Sequence, residues 1–158
     1  MKIGGKVLKG GNLIIVPILR QEGNFIFKAK SVSSMDEFDK ICPTPEPPMR
    51  RKPGEPPFAV MDDPAYVDNI QKHSKLRVDY MIVKSLDATD NLEWDTVVIT
   101  KPETWKNYEK DLKAAGINDV EMVRLIDATF EANSLNEEKI IEARNSFLAS
   151  VTQEAKAK

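Results

Sequence analysis

The stretch Cys42-Pro43-Thr44-Pro45-Glu46-Pro47-Pro48-Met49-Arg50-Arg51-Lys52-Pro53-Gly54-Glu55-Pro56-Pro57 holds seven of the chain's ten prolines. Such a segment continues neither a helix nor a central strand, because proline has no backbone N–H and its ring fixes φ. The sequence is thereby divided into a short, glycine-punctuated, β-branched part and a longer part rich in helix-start signals. The expected fold class is α+β. Its parts are a β-rich N-terminal segment with a short helix (1–41), a proline-rich linker (42–62), a helical domain of about four helices (63–151) and a frayed tail (152–158).

Outward from the linker, the N-terminal side contains two runs of strand-favouring residues, Leu13 to Leu19 and Phe25 to Lys30. Arg20-Gln21-Glu22-Gly23-Asn24 between them has the Gly and Asn that a hairpin loop uses for positive φ. Pro17 belongs on an edge strand or at a bulge. Lys6-Val7-Leu8 offers a third short strand. Ser34 and Glu37 have the spacing of a capping box, which starts a helix that ends before Pro43.

On the other side of the linker, Asp63-Pro64 is an N-cap followed by proline at the first helical position. The helix it opens is expected to run to about Lys84, with Tyr66, Val67, Ile70, Val78, Tyr80, Met81 and Ile82 on or near its buried face. Thr100 and Glu103 suggest a second cap pair, for a helix carrying Trp105, Tyr108 and Leu112 and closing at Gly116. Asn118 with Glu121 and Ser134 with Glu137 suggest two more, the last opening a helix through Ile140, Ile141, Phe147, Leu148 and Val151.

Charge and composition exclude several functions. The 158 residues carry a formal net charge of −2, with no strongly basic face for phosphate neutralisation, so nucleic acid is not an expected partner. No apolar run approaches the roughly 20 residues that span a bilayer, so no membrane partner is expected either. The N-terminus lacks the apolar stretch of a secretory signal and Cys42 is the single cysteine, which together point to the cytosol. One histidine and one cysteine rule out the usual Cys and His metal sets, and no acidic cluster replaces them.

Enzymatic motifs fail at their functional ends. Gly5 to Gly11 has the outer glycine spacing of a phosphate-binding loop, yet Gly11-Asn12 stands where Lys and Ser or Thr must be. Cys42 and His73 could meet as a nucleophile and its base, but Cys42 sits against a proline run with no helix N-terminus to activate it. The adjacent carboxylates Asp36-Glu37, Asp62-Asp63 and Glu137-Glu138 lie at helix starts, where negative charge favours the helix dipole. No cofactor is expected, and the chain reads as a binding or assembly protein rather than an enzyme. Trp105 sits in a periodic stripe as a core anchor, whereas Trp94 lies in an irregular acidic segment and is the better interface candidate.

The order of elements is similar to that of the tail assembly chaperones of long-tailed bacteriophages. The likeness lies in Phe25 to Lys30 leading into Ser34-Met35-Asp36-Glu37-Phe38, then Leu92-Glu93-Trp94-Asp95-Thr96-Val97 and Thr104-Trp105-Lys106-Asn107-Tyr108. It is strongest in Leu112 to Glu121, Glu131-Ala132-Asn133-Ser134-Leu135-Asn136-Glu137-Glu138 and Ala143-Arg144-Asn145-Ser146-Phe147-Leu148, and covers about two thirds of the chain. The resemblance implies a non-enzymatic protein of the bacterial host cytoplasm that coats the tape measure protein, keeps its helices soluble and helps recruit tail tube subunits. It also implies self-association. A helical client would be received by exposed aliphatic and aromatic side chains, for which Phe130, Ile140, Ile141, Phe147 and Leu148 join Trp94 as candidates. The proline segment departs from a compact chaperone pattern and keeps open a structural or adaptor protein retained in the virion.

Overall fold

In the computed structural model the described residues are 2–3, 5–7, 10–135, 137–138, 140–142 and 144–145. The fold is α+β: three small antiparallel hairpins and a set of helices. The central hairpin pairs β3 (Leu13–Ile18) with β4 (Phe25–Lys30), in a register that sets Leu13 opposite Lys30 and Ile18 opposite Phe25. Alternation gives it two faces. Val16, Ile18 and Ala29 are buried on one, while Leu13, Ile15 and Ile26 are exposed on the other.

Lys6–Val7 does form a strand (β2), but it pairs with β1 (Lys2–Ile3) in a separate ladder and does not extend the central hairpin. The proline segment holds the third ladder, β5 (Met49–Arg50) with β6 (Phe58–Ala59). Gly54, at φ 82, helps to turn the chain between them.

The helices are α1 (Asp36–Ile41), α2 (Pro64–Leu86), α3 (Pro102–Trp105), α4 (Tyr108–Ala114) and α5 (Asp119–Ala132). Asp63 caps α2 by accepting from the Ala65 and Tyr66 amides at 3.1 Å each. Only the second half of α2 enters the core: Asp79 to Val83, Ser85 and Leu86 are buried, while Val67 and Val78 are exposed, contrary to the expected stripe. The capping box of Asn118 and Glu121 is present at α5. Gly116, at φ 87, ends α4 as the C′ residue, with Ile117 N–H donating to Leu112 O and Gly116 N–H to Lys113 O.

Three expected cap pairs take other roles. The N-cap of α1 is Met35, and Ser34 Oγ accepts from the Asp36 amide alone. The carboxylate of Glu37 is drawn away by the Tyr80 hydroxyl and the Lys84 ammonium, both 2.9 Å from it. Lys101, not Thr100, occupies the N-cap of α3, and the chain breaks at 106–107 into two short helices rather than one. Ser134 belongs to the end of α5: at φ 57 it takes C′, with Leu135 N–H donating to Phe130 O and Ser134 N–H to Glu131 O. The residues at 137, 138, 140–142, 144 and 145 are helical. Phe147, Leu148, Val151 and the tail 152–158 lie outside the described residues.

One apolar cluster unites the two sides of the proline segment. Val16, Ile18, Ala29 and Phe38 from the first 41 residues pack with Tyr80, Ile82, Val83, Leu86, Trp105, Leu125 and Ala128 from the rest. Phe38 is fully buried at its aromatic centre, with ring centroids 5.5 Å from Tyr80 and 5.9 Å from Trp105. Arg20 adds a polar clasp. Its guanidinium donates to both carboxylate oxygens of Glu121, at 2.6 and 2.8 Å, and to Gly116 O at 2.9 Å, fastening the hairpin loop to the start of α5.

Candidate protein-binding surface

Both tryptophans are anchored. Trp105 is fully buried and its indole N–H donates to Ile99 O at 3.0 Å. Trp94 is half-buried: it packs against the core and donates to Asp87 Oδ1 at 3.3 Å, leaving part of its ring at the surface. The irregular segment that carries Trp94 is held by Asp111. That carboxylate accepts from the Thr96 amide (2.8 Å), the Thr96 hydroxyl (2.7 Å) and the Val97 amide (3.4 Å). Burial opposes the charge on Asp111, but these bonds outweigh it and lower its pKa.

Along α5 and beyond its end, several apolar side chains reach the surface. Met122, Leu125, Ala128 and Ala132 turn inward, so Val123 projects to solvent, 57% exposed, and Phe130 is half-buried. Beyond the helix end, Leu135 and then Ile140 and Ile141 are exposed, the last two at 45% and 51%. Phe130 and Leu135, together with Asp127, Glu131, Glu137 and Glu138, line a surface concavity. The structure thus brings Phe130 and the start of the last helix together, and places Trp94 in the loop before α3. Phe147 and Leu148 are not described.

Leu135 was missed as a candidate because it stands alone in sequence between two helices. Its place follows from the Schellman ending of α5, in which the residue after C′ folds back toward the last turn. Asn133, which looks like a plain helix terminator, is a structural hub. Its Oδ1 accepts from the Val32 amide at 2.8 Å, and its Nδ2 donates to Ser85 Oγ at 2.8 Å and to Thr129 O at 2.7 Å, joining β4, α2 and α5.

The pair of His73 and Cys42 is not arranged as base and nucleophile. His73 Nε2 donates to the carbonyl oxygen of Cys42 at 3.0 Å and its ring meets the edge of Phe38, while burial raises the Cys42 thiol pKa and favours the protonated form. Among the described residues no three His, Cys, Asp or Glu side chains gather as a metal site, and no helix is long and apolar enough to cross a membrane. Comparison with protein-family models, with curated proteins and with solved structures yields no match.

Proposed function

We propose that this chain is a non-enzymatic assembly protein that receives an amphipathic helix of a protein partner, and specifically a tail assembly chaperone of a long-tailed bacteriophage whose client is the tape measure protein. The observation that carries the helix-binding part is the concavity at the end of α5, lined by Phe130 and Leu135 together with four carboxylates and followed in the chain by exposed Ile140 and Ile141. The apolar side chains of such a mixed lining take the apolar stripe of a helix, and its carboxylates favour Lys or Arg on the flanks. The phage assignment, including recruitment of tail tube subunits and action in the host cytoplasm, rests on the sequence resemblance. Trp94 would add a second anchor on the loop before α3.

The proline segment supports a second reading. Its β5–β6 ladder carries exposed Met49 and Phe58, followed by exposed Met61, which suits an arm that lodges in a neighbouring subunit of a virion.

The test is co-expression with the tape measure protein of the same phage, followed by tagged purification. Phe130→Asp and the double change Ile140→Asp, Ile141→Asp are expected to reduce recovered client at least about tenfold, the loss expected when a binding anchor is removed. Trp94→Ala is expected to weaken capture less. Recovery of equal client by all variants refutes this surface, and failure of the unmodified chain to hold the client refutes the chaperone reading.

A further inference from the structure

The two outer edges of the central hairpin are treated differently. On β4, Lys28 turns its backbone groups away from β3, and both are taken by Thr89: the amide donates to Thr89 Oγ1 at 2.8 Å and the hydroxyl donates to Lys28 O at 3.2 Å. An ion pair between Lys28 and Asp90 stands beside them. That edge is closed at its centre.

The β3 edge has no such seal. Ser31 N–H donates to Asn12 O, and the register places Ile14, Val16 and Ile18 in the positions bonded to β4. Leu13, Ile15 and Pro17 therefore point their backbone groups outward. Among the described residues nothing accepts from the amides of Leu13 and Ile15. Their side chains are exposed as well, at 51% and 58%. Pro17 occupies an outward position, where its missing N–H takes nothing from the hairpin.

We infer that this edge pairs with the same edge of a second copy of the chain, giving an antiparallel four-stranded sheet in the order β4-β3-β3-β4 about a two-fold axis. Free main-chain donors and acceptors in a row call for a strand, and β3 is its own complement. With the axis through Ile14, Leu13 of each copy faces Ile15 of the other, and each such pair exchanges two hydrogen bonds. The same register aligns the exposed Leu13 and Ile15 side chains of both copies into one continuous apolar cluster. Pro17 discriminates between registers. With the axis at Ile14, Pro17 falls opposite Gly11, outside β3, and costs no bond within the strand; moving the axis to Ile15 would set each Leu13 carbonyl against a proline that has no N–H to donate, and moving it to Leu13 would set each Ile15 against Gly11, which has no side chain to pack. The closed β4 edge limits the assembly to a pair instead of an open filament.

This surface is distinct from the concavity at the end of α5, so the inference stands apart from the client reading and either can fail alone. The experiment is sedimentation velocity of the full chain over a wide concentration range, with Ile15→Lys as the edge-blocking variant. The unmodified chain is expected to form dimers, and Ile15→Lys to dimerise at least about tenfold more weakly, with an unchanged far-ultraviolet circular dichroism spectrum. Register is read separately by Ile14→Cys in a Cys42→Ser background: residue 14 then faces its own copy in a non-hydrogen-bonded pair, about 4.5 Å between Cα atoms, within disulfide reach. Oxidation is expected to yield a covalent dimer, while Glu22→Cys in the same background stays monomeric. A monomer at every concentration, or a dimer indifferent to Ile15→Lys, overturns the inference; absence of the Ile14→Cys cross-link overturns the register.

Discussion

Replacing Phe38 by alanine tests whether the two sides of the proline segment fold as one unit. Phe38 precedes that segment, yet its ring is fully buried against Tyr80, Trp105 and His73, all of which follow it. The Arg77 guanidinium also lies over the ring, 6.0 Å from its centroid. Truncation removes the transfer free energy of a buried benzyl group and leaves a cavity among large aromatic neighbours that cannot readily collapse into it. Phe→Ala changes of this kind cost about 3–5 kcal/mol. For a chain of this size each kcal/mol lowers Tm by about 2–4 °C, so the melt is expected to fall by roughly 6–20 °C. Against a total stability of about 5–15 kcal/mol, that is a large fraction. Urea unfolding should be followed by far-ultraviolet circular dichroism for the helices and by tryptophan fluorescence for Trp105. If one core is shared, both signals move together to a lower midpoint. A loss under about 1 kcal/mol, the size of an ordinary surface change, would refute the reasoning. So would a helix signal that unfolds at its original midpoint.

Three further changes probe single features. Glu121 is held down to a pKa of about 2, first by the hydrogen bonds from Arg20 and then by that from the Asn118 amide. Because the folded value is depressed below the usual 4.5, the clasp contributes stability above pH 4.5 that is lost as pH falls toward 2. Arg20→Ala should therefore melt lower than the unmodified chain at neutral pH, with the gap closing across that acidic window in a series of thermal melts. Asp111→Asn removes the charge that holds Thr96 and Val97, leaving a neutral oxygen for their amides and an NH2 toward the Thr96 hydroxyl; a loss of about 1.5–3 kcal/mol is expected by urea titration, the range of bonds to charged groups. Gly116→Ala isolates a backbone term. A Cβ there meets nothing within 4 Å, so only the φ of 87° opposes it, and about 1 kcal/mol of destabilisation is expected by the same titration.

Local signals read true where neighbours in sequence satisfy them. Asp63-Pro64, the Asn118 and Glu121 box, Gly116 and the hairpin all act within a few residues, and the structure contains each of them. Other signals were overridden by distant partners. Glu37 has the spacing of a capping residue, but Tyr80 and Lys84, more than forty positions later, hold its carboxylate. Ser134 looks like a helix start because Glu137 follows it, whereas the demand of α5 for a left-handed closing residue places it at C′. The periodicity of α2 does not reveal that its first half leaves the core, since that depends on how little of the chain packs against it. The same limit governs the candidate surfaces. Ile140 and Ile141 could be singled out as apolar residues near the end of the chain, but the open edge of β3 becomes visible only once Thr89, 61 positions from Lys28, is seen to close the edge of β4.

The two proposed surfaces have a joint consequence that neither has alone. A dimer built through β3 carries two copies of the concavity at the end of α5, so a partner with a single helix site gains nothing from dimerisation. A partner that repeats such a helix is held twice, and the second contact forms at the effective concentration set by the spacing between sites. Ile15→Lys should leave the affinity for a one-site peptide unchanged while weakening binding to a tandem two-site peptide by about 10²-fold or more, provided the linker spans both concavities. Phe130→Asp, by contrast, should weaken both peptides in calorimetric titrations. Equal losses for the two peptides on Ile15→Lys would mean that the edge disturbs the concavity itself. No loss for the tandem peptide would mean that the two concavities cannot be bridged. In either case the β-sheet edge would not be a device for gripping a long repetitive client.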